Sequence, residues 1–94
     1  MYQIVITNTA KRAVKKLPSY IREEIIKKAS VLETNPFLGE KLVGKLSFLY
    51  SFHFSFKGTQ YRIAYSVDEK EKVATIHLAG PRENFYDRLR RQIF

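Results

Sequence analysis

Residues 48–67 read FLYSFHFSFKGTQYRIAYSV, two alternating runs joined by a turn at Gly58. Such alternation predicts a β-hairpin, because successive side chains of a strand point to opposite faces of the sheet. The polar predicted face carries His53, Lys57 and Arg62 among small residues, which leaves room for a ligand to lie flat against the strands. The apolar predicted face consists of Phe48, Tyr50, Phe52, Phe54, Phe56, Tyr61, Ile63, Tyr65 and Val67.

The segments before the hairpin predict one strand and two helices. Residues 2–7 alternate as a strand, and Asn8 or Thr9 offers a side-chain oxygen to cap the helix that follows. Pro18 ends this helix or opens the next one, which spans Ser19 to about Thr34. Two helices joined so closely are expected to form an antiparallel hairpin that packs on the apolar face of the later strands.

After the second helix, a loop over residues 36–47 holds Lys41 and Lys45. Residues 72–79 predict a further strand, and residues 82–94 predict an amphipathic helix. The resulting order is β-α-α-β-β-β-α in a single domain of residues 1–94. We therefore expect an α+β fold in which an N-terminal helical hairpin packs on a mainly antiparallel, four-stranded sheet.

The last strand adds a second histidine to the polar face. If Ile76 and Leu78 join the apolar face, strand alternation places His77 beside His53 and Arg62. A pair of histidines flanking a phosphate would form a complete acid–base system.

The net charge limits the classes of partner. The chain has 17 Lys and Arg against 9 Asp and Glu, a formal charge of +8, which favours a polyanionic partner.

The chain contains no cysteine, so disulfides and thiolate chemistry are excluded. No apolar run approaches the length of a membrane span, and the N-terminus lacks a signal-peptide core. We expect a cytoplasmic protein with no membrane partner.

Three motifs, in their order and spacing, carry a resemblance to a known family. They are Leu17-Pro18 between the helices, Gly-x-x-Tyr-Arg-Ile-x-Tyr at 58–65, and Ala-Gly-Pro-Arg-Glu-Asn-Phe-Tyr at 79–86. Together they resemble the RelE/ParE superfamily of toxins, which belong to toxin–antitoxin pairs. The resemblance runs over nearly the whole chain.

The resemblance implies site residues by position. The RelE-like members are ribosome-dependent mRNA endoribonucleases, and their site arginines and tyrosine match Arg62, Arg82 and Tyr86. Their basic positions on the preceding strand fall at His53, Ser55 and Lys57. The sequence departs from the pattern where Ser55 replaces a lysine proposed as general base. His53 stands where the pattern has another lysine, so the resemblance leaves the identity of the base open.

The implied reaction is cleavage of mRNA in the ribosomal A site by attack of a 2′-hydroxyl on the adjacent phosphate. It needs a base, an acid and positive charge, and we expect no metal and no cofactor. Arg62 and Arg82, the latter expected at a helix start, would bind phosphate, and Tyr86 would stack on a base. The remaining expected RNA contacts are Lys57, Ser55, His77, Lys41 and Lys45.

Two alternatives remain open: a ParE-like poison of DNA gyrase, and a catalytically degenerate homologue of the toxin. The charge and the resemblance also imply an acidic antitoxin, which would wrap the toxin in a hetero-oligomer. The isolated toxin is expected to be a monomer. Ribosome and mRNA would be its other partners.

Overall fold

The computed structural model describes residues 1–94 as five strands and three helices. In chain order they are β1 (Gln3–Ile6), α1 (Asn8–Lys15), α2 (Ser19–Ser30), β2 (Glu40–Lys41), β3 (Tyr50–Phe56), β4 (Thr59–Asp68), β5 (Val73–Pro81) and α3 (Phe85–Ile93). Short 3₁₀ turns occupy Val31–Glu33 and Gly44–Leu46. None of the three helices is long and apolar enough to cross a membrane.

The five strands form one mixed sheet in the order β1-β5-β4-β3-β2. β1 runs parallel to β5, and every other neighbouring pair is antiparallel. The expected α+β architecture with a mainly antiparallel sheet is confirmed, but the number of strands is five rather than four. The additional strand, β2, contains two residues and pairs Glu40 with Ser51, so it is too short to show any alternation in the sequence.

The main core lies between one face of the sheet and the hairpin of α1 and α2. The buried helix residues Ile21, Ile25, Ala29 and Leu32 pack there with Phe54, Tyr61, Ile63 and Tyr65 from the strands. The expected apolar face is therefore the face that carries the helices. Phe48 is the exception, because it precedes β3 and remains exposed.

The helix boundaries differ from expectation by a few residues. Thr7, not Asn8 or Thr9, caps α1, and its side-chain oxygen accepts a hydrogen bond from the backbone N–H of Ala10 at 3.1 Å. Ser19 is the first residue of α2, and no side chain caps that helix. Arg22 instead ties the two helices together by donating to the carbonyls of Lys15 and Leu17.

The turn between β3 and β4 contains only Lys57 and Gly58, both with positive φ of 51° and 79°. Two positive φ values characterise the type I′ turn, whose twist matches that of the strands it connects. This turn fixes the register of the hairpin. Tyr50 pairs with Tyr65 at one end, and Phe56 pairs with Thr59 at the other.

The second face of the sheet is partly covered by α3. Phe85 and Leu89 of α3 are buried in a smaller cluster with Leu46, Leu49, Ala64 and Leu78. The pairing register of β4 and β5 shifts at Ala64 and Tyr65, so that Leu78 pairs with Ala64 and Ile76 pairs with Tyr65. The extra residue, His77, forms a β-bulge in β5, and Leu78 consequently packs under α3 rather than with the main core.

Candidate active site

His53 and Arg62 lie directly opposite each other on β3 and β4. Their side chains project from the face that α3 partly covers, as strand alternation predicts. His53 is exposed and Arg62 is half-buried. None of the three ion pairs in the protein involves Arg62, so its guanidinium keeps its charge uncompensated by a carboxylate.

Tyr86, in the first turn of α3, extends over this pair. Its hydroxyl donates to Ser51 Oγ at 3.2 Å and lies 3.4 Å from His53 Nε2. The Arg62 guanidinium carbon lies 5.0 Å from the centroid of the tyrosine ring, within the range of a cation–π contact. Because Arg62 covers one face of the ring, a base stacking on Tyr86 would need the other face.

Tyr86 is held in place by its neighbours on α3. Phe85 is almost completely buried, and its ring meets that of Tyr86 edge to face at 5.5 Å. Asn84 adopts a left-handed conformation immediately before the helix, with φ of 55°. This turn directs α3 back across the sheet, so that Phe85 points into the smaller cluster and Tyr86 points toward β3.

The electrostatics of the site favour a neutral histidine. Partial burial lowers the pKa of His53, the nearby Arg62 guanidinium lowers it further, and the Glu40 carboxylate opposes both effects. The pKa of His53 is therefore below its ordinary value, and the imidazole is neutral at physiological pH. A neutral imidazole within hydrogen-bonding reach of a phenol can accept a proton.

Arg82 lies beyond Arg62, toward the end of β4 and β5 that adjoins the β3–β4 turn. Its backbone N–H donates to the carbonyl of Gln60 at 3.0 Å. Gln60 is two residues from Arg62 on β4, so strand geometry places the Cα atoms of Arg62 and Arg82 about 8 Å apart. A polar groove of about 730 Å³ at this end is lined by Gly58, Thr59, Gln60, Pro81, Arg82 and Glu83.

The sequence led us to expect Arg82 at the start of a helix, and this expectation is wrong. It lies in the turn between β5 and α3, and the helix begins three residues later at Phe85. Pro81 is the last residue of β5 rather than the first turn of the helix. The backbone of the first helical turn therefore does not supplement the charge of Arg82.

Ser55 on β3 and Lys57 in the turn after it project to opposite faces of the sheet. Ser55 shares the face of His53, where its hydroxyl accepts a hydrogen bond from the Gln60 side-chain amide at 3.1 Å. Lys57 turns to the opposite side, with Nζ 5.1 Å from the ring centroid of Tyr20 on α2. The expectation that Lys57 lies on the face of His53 is wrong, because the I′ turn carries its side chain toward the helices.

His77 does not join the site, and the expected pair with His53 is wrong. As the bulged residue of β5, it forms a 2.9 Å hydrogen bond with Ser66, which lies four residues, or about 13 Å, from Arg62 along β4. Its carbonyl accepts from the Gln92 amide of α3 at 2.6 Å. Burial lowers the pKa of His77 below its ordinary value.

Lys41, which was expected in a loop, is the last residue of β2 and points away from the site. Lys41 Nζ lies 5.0 Å from the centroid of the Tyr50 ring, on the edge of the sheet. Tyr50 belongs to the face that packs against α1 and α2. Lys45 is exposed in the second 3₁₀ turn.

The structure adds three residues that the sequence did not single out. Glu40 faces Ser51 across the β2–β3 pair and lines a small pocket of about 200 Å³ with Ser51 and His53. Ser51 is buried and bonds to Tyr86, and alternation from His53 could have found it. Arg88 lies over Gly80, the residue opposite Arg62, but only the path of α3 reveals this.

The chain places no group of three or more His, Cys, Asp or Glu side chains where they could hold a metal ion. Chemically, the site instead combines a neutral imidazole, a phenol and an unpaired guanidinium. These groups can accept a proton, donate a proton and stabilise an anion, respectively.

Comparison with known proteins gives a family and a set of related folds. The family model described as "ParE-like toxin of type II bacterial toxin-antitoxin system" matches residues 4–90. The structure of the RelBE toxin–antitoxin complex from Mycobacterium tuberculosis is similar at 29% identity, with a TM-score of 0.74, over 86% of this chain and 98% of that one. No curated protein sequence matches the chain closely enough to indicate a relationship.

Two further structures resemble this fold. The RelE–RelB complex from the archaeon Pyrococcus horikoshii is 29% identical with a TM-score of 0.63, over 86% of this chain and 94% of that one. A free Escherichia coli RelE toxin is 21% identical with a TM-score of 0.75, over 99% of this chain and 98% of that one. At 21% identity, the similarity to the E. coli toxin shows a common fold and no more.

Proposed function

This chain belongs to the ParE-like toxin family of type II bacterial toxin–antitoxin systems, and from that premise we propose that it is a ribosome-dependent endoribonuclease that cleaves mRNA in the A site. The observation that carries the proposal is the convergence of His53, Arg62 and Tyr86 at one point of the sheet. Cleavage of a phosphodiester needs a proton acceptor and nearby positive charge, and the His53 imidazole and the Arg62 guanidinium provide them. The reaction would take place in the cytoplasm, where translating ribosomes are found.

In the proposed mechanism, His53 removes the proton from a ribose 2′-hydroxyl. The 2′-oxygen then bonds to the adjacent phosphorus, and the bond from phosphorus to the 5′-oxygen breaks. Tyr86 donates its hydroxyl proton to this leaving oxygen and regains a proton from His53 across their 3.4 Å contact. The proton is thus transferred from one oxygen to the other, and the products are a cyclic phosphate and a free 5′-hydroxyl.

The two arginines have separate roles in this proposal. Arg62 binds the non-bridging oxygens of the scissile phosphate, since its planar fork suits two parallel hydrogen bonds. Arg82, about two residues further along the sheet, binds the neighbouring phosphate of the same strand. Ser55 supplies no base, because a hydroxyl lacks a lone pair of sufficient basicity at neutral pH, and this leaves His53 as the base.

An antitoxin is the proposed protein partner. RelE toxins of M. tuberculosis and P. horikoshii are found in complexes with antitoxins, and they are 29% identical to this chain. The charge of +8 suits an acidic antitoxin segment. We propose that the toxin is monomeric alone and forms a hetero-oligomer with its antitoxin.

Mapping the ends of mRNA in cells that express the chain tests the proposed function. A nuclease leaves new 5′ ends within the codons of translated messages, whereas a gyrase poison breaks DNA and leaves messages intact. The ParE-like family description favours keeping the gyrase poison as the second candidate. Intact messages with broken DNA would replace the first proposal with the second, and normal growth without either would indicate a degenerate toxin.

A further inference from the structure

A cleft separates α1 from α3 beside the candidate active site. β1 pairs with β5 only as far as Ile6 opposite Ile76, and α1 then lies beside the remainder of β5. α1 therefore fills the edge of the sheet and reaches the face on which α3 packs. The cleft between the two helices has a volume of about 310 Å³ and a floor formed in part by Leu78.

The charged groups that line this cleft are all positive. Arg12 on α1 and Lys16, the C-cap residue of that helix, stand one helical turn apart, and Arg88 lines the cleft from α3. None of these three cations takes part in an ion pair, because the only pairs join Glu24 to Lys27 and Lys28, and Asp87 to Arg90. Like charges facing one another without a carboxylate repel, so an anion in the cleft would relieve the repulsion.

Neutral hydrogen-bonding groups complete the lining. Thr9 offers a hydroxyl from the first turn of α1. Gln92 offers an amide whose position is fixed, because it already donates one hydrogen bond to the His77 carbonyl. The oxygens of a phosphate group can accept hydrogen bonds from both the hydroxyl and the amide. These neutral donors would add nothing to a surface that attracted its ligand by charge alone.

Arg88 connects the cleft to the candidate active site. Its Nη1 lies 3.7 Å from the position that a Cβ would occupy on Gly80, and Gly80 pairs with Arg62. The cleft floor at Leu78 is two residues, or about 7 Å, from Gly80 along the same strand. Arg88 therefore lies between the cleft and the position on β5 that pairs with Arg62.

We propose that the cleft between α1 and α3 is a second phosphate-binding site, which holds the backbone of the bound RNA away from the point of cleavage. Arg12, Lys16 and Arg88 contact the phosphate, and Thr9 and Gln92 orient it. This proposal rests on the proposed function in that it takes the ligand to be RNA. The proximity of Arg88 to the residue opposite Arg62 favours a nucleic-acid backbone, which carries one phosphate per nucleotide, over an acidic peptide segment.

Binding of a single-stranded oligoribonucleotide to the purified protein tests the cleft. A fluorescent 2′-O-methyl RNA lacks the attacking hydroxyl, so its affinity can be measured by anisotropy without cleavage. We expect the double variant Arg12→Gln/Lys16→Gln to raise Kd about tenfold, and to reduce the slope of log K against log salt by about 0.7 for each lost phosphate contact. The matched control, Arg90→Gln/Arg91→Gln, removes the same charge from the exposed side of α3 and should leave both quantities near those of the wild type.

A second measurement locates the ligand and tests the fold of the variants. In a two-dimensional ¹H–¹⁵N NMR titration with the same RNA, the Gln92 side-chain amide and the Arg12 and Arg88 Nε signals should shift. Unchanged signals elsewhere in the double variant would show that it is folded. Shifts confined to Arg62 and Arg82, or equal losses of affinity in both double variants, would overturn the cleft proposal.

The outcomes separate this proposal from the proposed function. If the cleft variant binds RNA like the wild type while Arg62→Ala abolishes mRNA cleavage, only the cleft proposal fails. If the RNA binds the cleft but messages on ribosomes remain intact, the nuclease proposal fails and the cleft stands as a nucleic-acid site. A polyglutamate peptide that shifts the cleft signals more strongly than the RNA would overturn the cleft proposal in favour of an acidic protein ligand.

Discussion

The hydroxyl of Tyr86 lies 3.4 Å from Nε2 of His53, and this contact joins the C-terminal helix to the central hairpin. The same hydroxyl donates to the buried Ser51 at 3.2 Å. A side chain that bridges a buried serine and an exposed imidazole fixes the position of α3 over the sheet. The arrangement of the site therefore depends on the docking of that helix.

Replacement of Tyr86 by phenylalanine tests the proton transfer. Tyr86→Phe keeps the ring against Arg62 but removes the hydroxyl, and we expect the cleavage rate to fall about 100-fold. The free energy of unfolding should fall by about 1 kcal/mol, because Ser51 loses its partner. Single-turnover cleavage and urea denaturation measure the two effects, and an unchanged rate would remove Tyr86 from the mechanism.

The pH dependence of cleavage tests His53 as the base. Its pKa lies below the ordinary value, so the base is already neutral at pH 7, and the rate should fall only when the pH drops below about 6.5. Glu40→Gln removes the carboxylate that raises this pKa, and the acid limb should shift to lower pH. Glu71→Gln, on the exposed β4–β5 turn, is the control, and a rate that kept rising above neutrality would be inconsistent with this assignment.

Acid should destabilise the fold partly through His77. Because burial lowers the pKa of His77 in the folded protein, the unfolded chain binds more protons just below the ordinary pKa. The stabilisation is complete above about pH 6.5 and is lost as the pH falls through the folded pKa. Urea denaturation gives the free energy of unfolding at pH 7.5 and at pH 5. The loss between the two pH values should be smaller for His77→Asn than for the wild type. An equal loss would show that His77 does not contribute to the acid destabilisation.

A glycine beside the site tests the packing at the β2 edge of the sheet, where Gly39 lies against β3 and Tyr65. A Cβ on Gly39 would lie 2.8 Å from both the Ser51 carbonyl oxygen and the Tyr65 hydroxyl, too close for any side chain. Gly39→Ala should lower the free energy of unfolding by about 1–3 kcal/mol. In Gly80→Ala the new Cβ would meet Arg88 at 3.7 Å, an ordinary contact, so this control should change stability little. Equal effects of the two substitutions would contradict the packing described.

The sequence predicted the hairpin and its two faces because alternation constrains every residue of a strand at once. The pairing of His53 with Arg62 follows from the two-residue turn at Lys57 and Gly58. Sequence alternation failed for Leu78 and His77, because a single bulged residue reverses the face of everything beyond it. A bulge has no signature in an apolar strand such as VATIHLAG.

Other features depended on tertiary contacts. The position of Tyr86 over the hairpin requires the left-handed turn at Asn84, and nothing in the residue types alone specifies where that turn directs the helix. Lys57 turned away from the site because its side chain follows the twist of the I′ turn. β2 was missed because a two-residue strand forms only where β3 offers a free edge.

The role of Arg62 in cleavage can be measured on purified ribosomes that carry a defined mRNA. Wild-type protein should cut the A-site codon and leave a cyclic phosphate, and Arg62→Ala should lower the single-turnover rate at least 100-fold while its circular dichroism spectrum stays unchanged. Arg62→Lys, which keeps the charge but not the fork, should retain an intermediate rate. Equal rates for wild type and Arg62→Ala would show that Arg62 takes no part in cleavage.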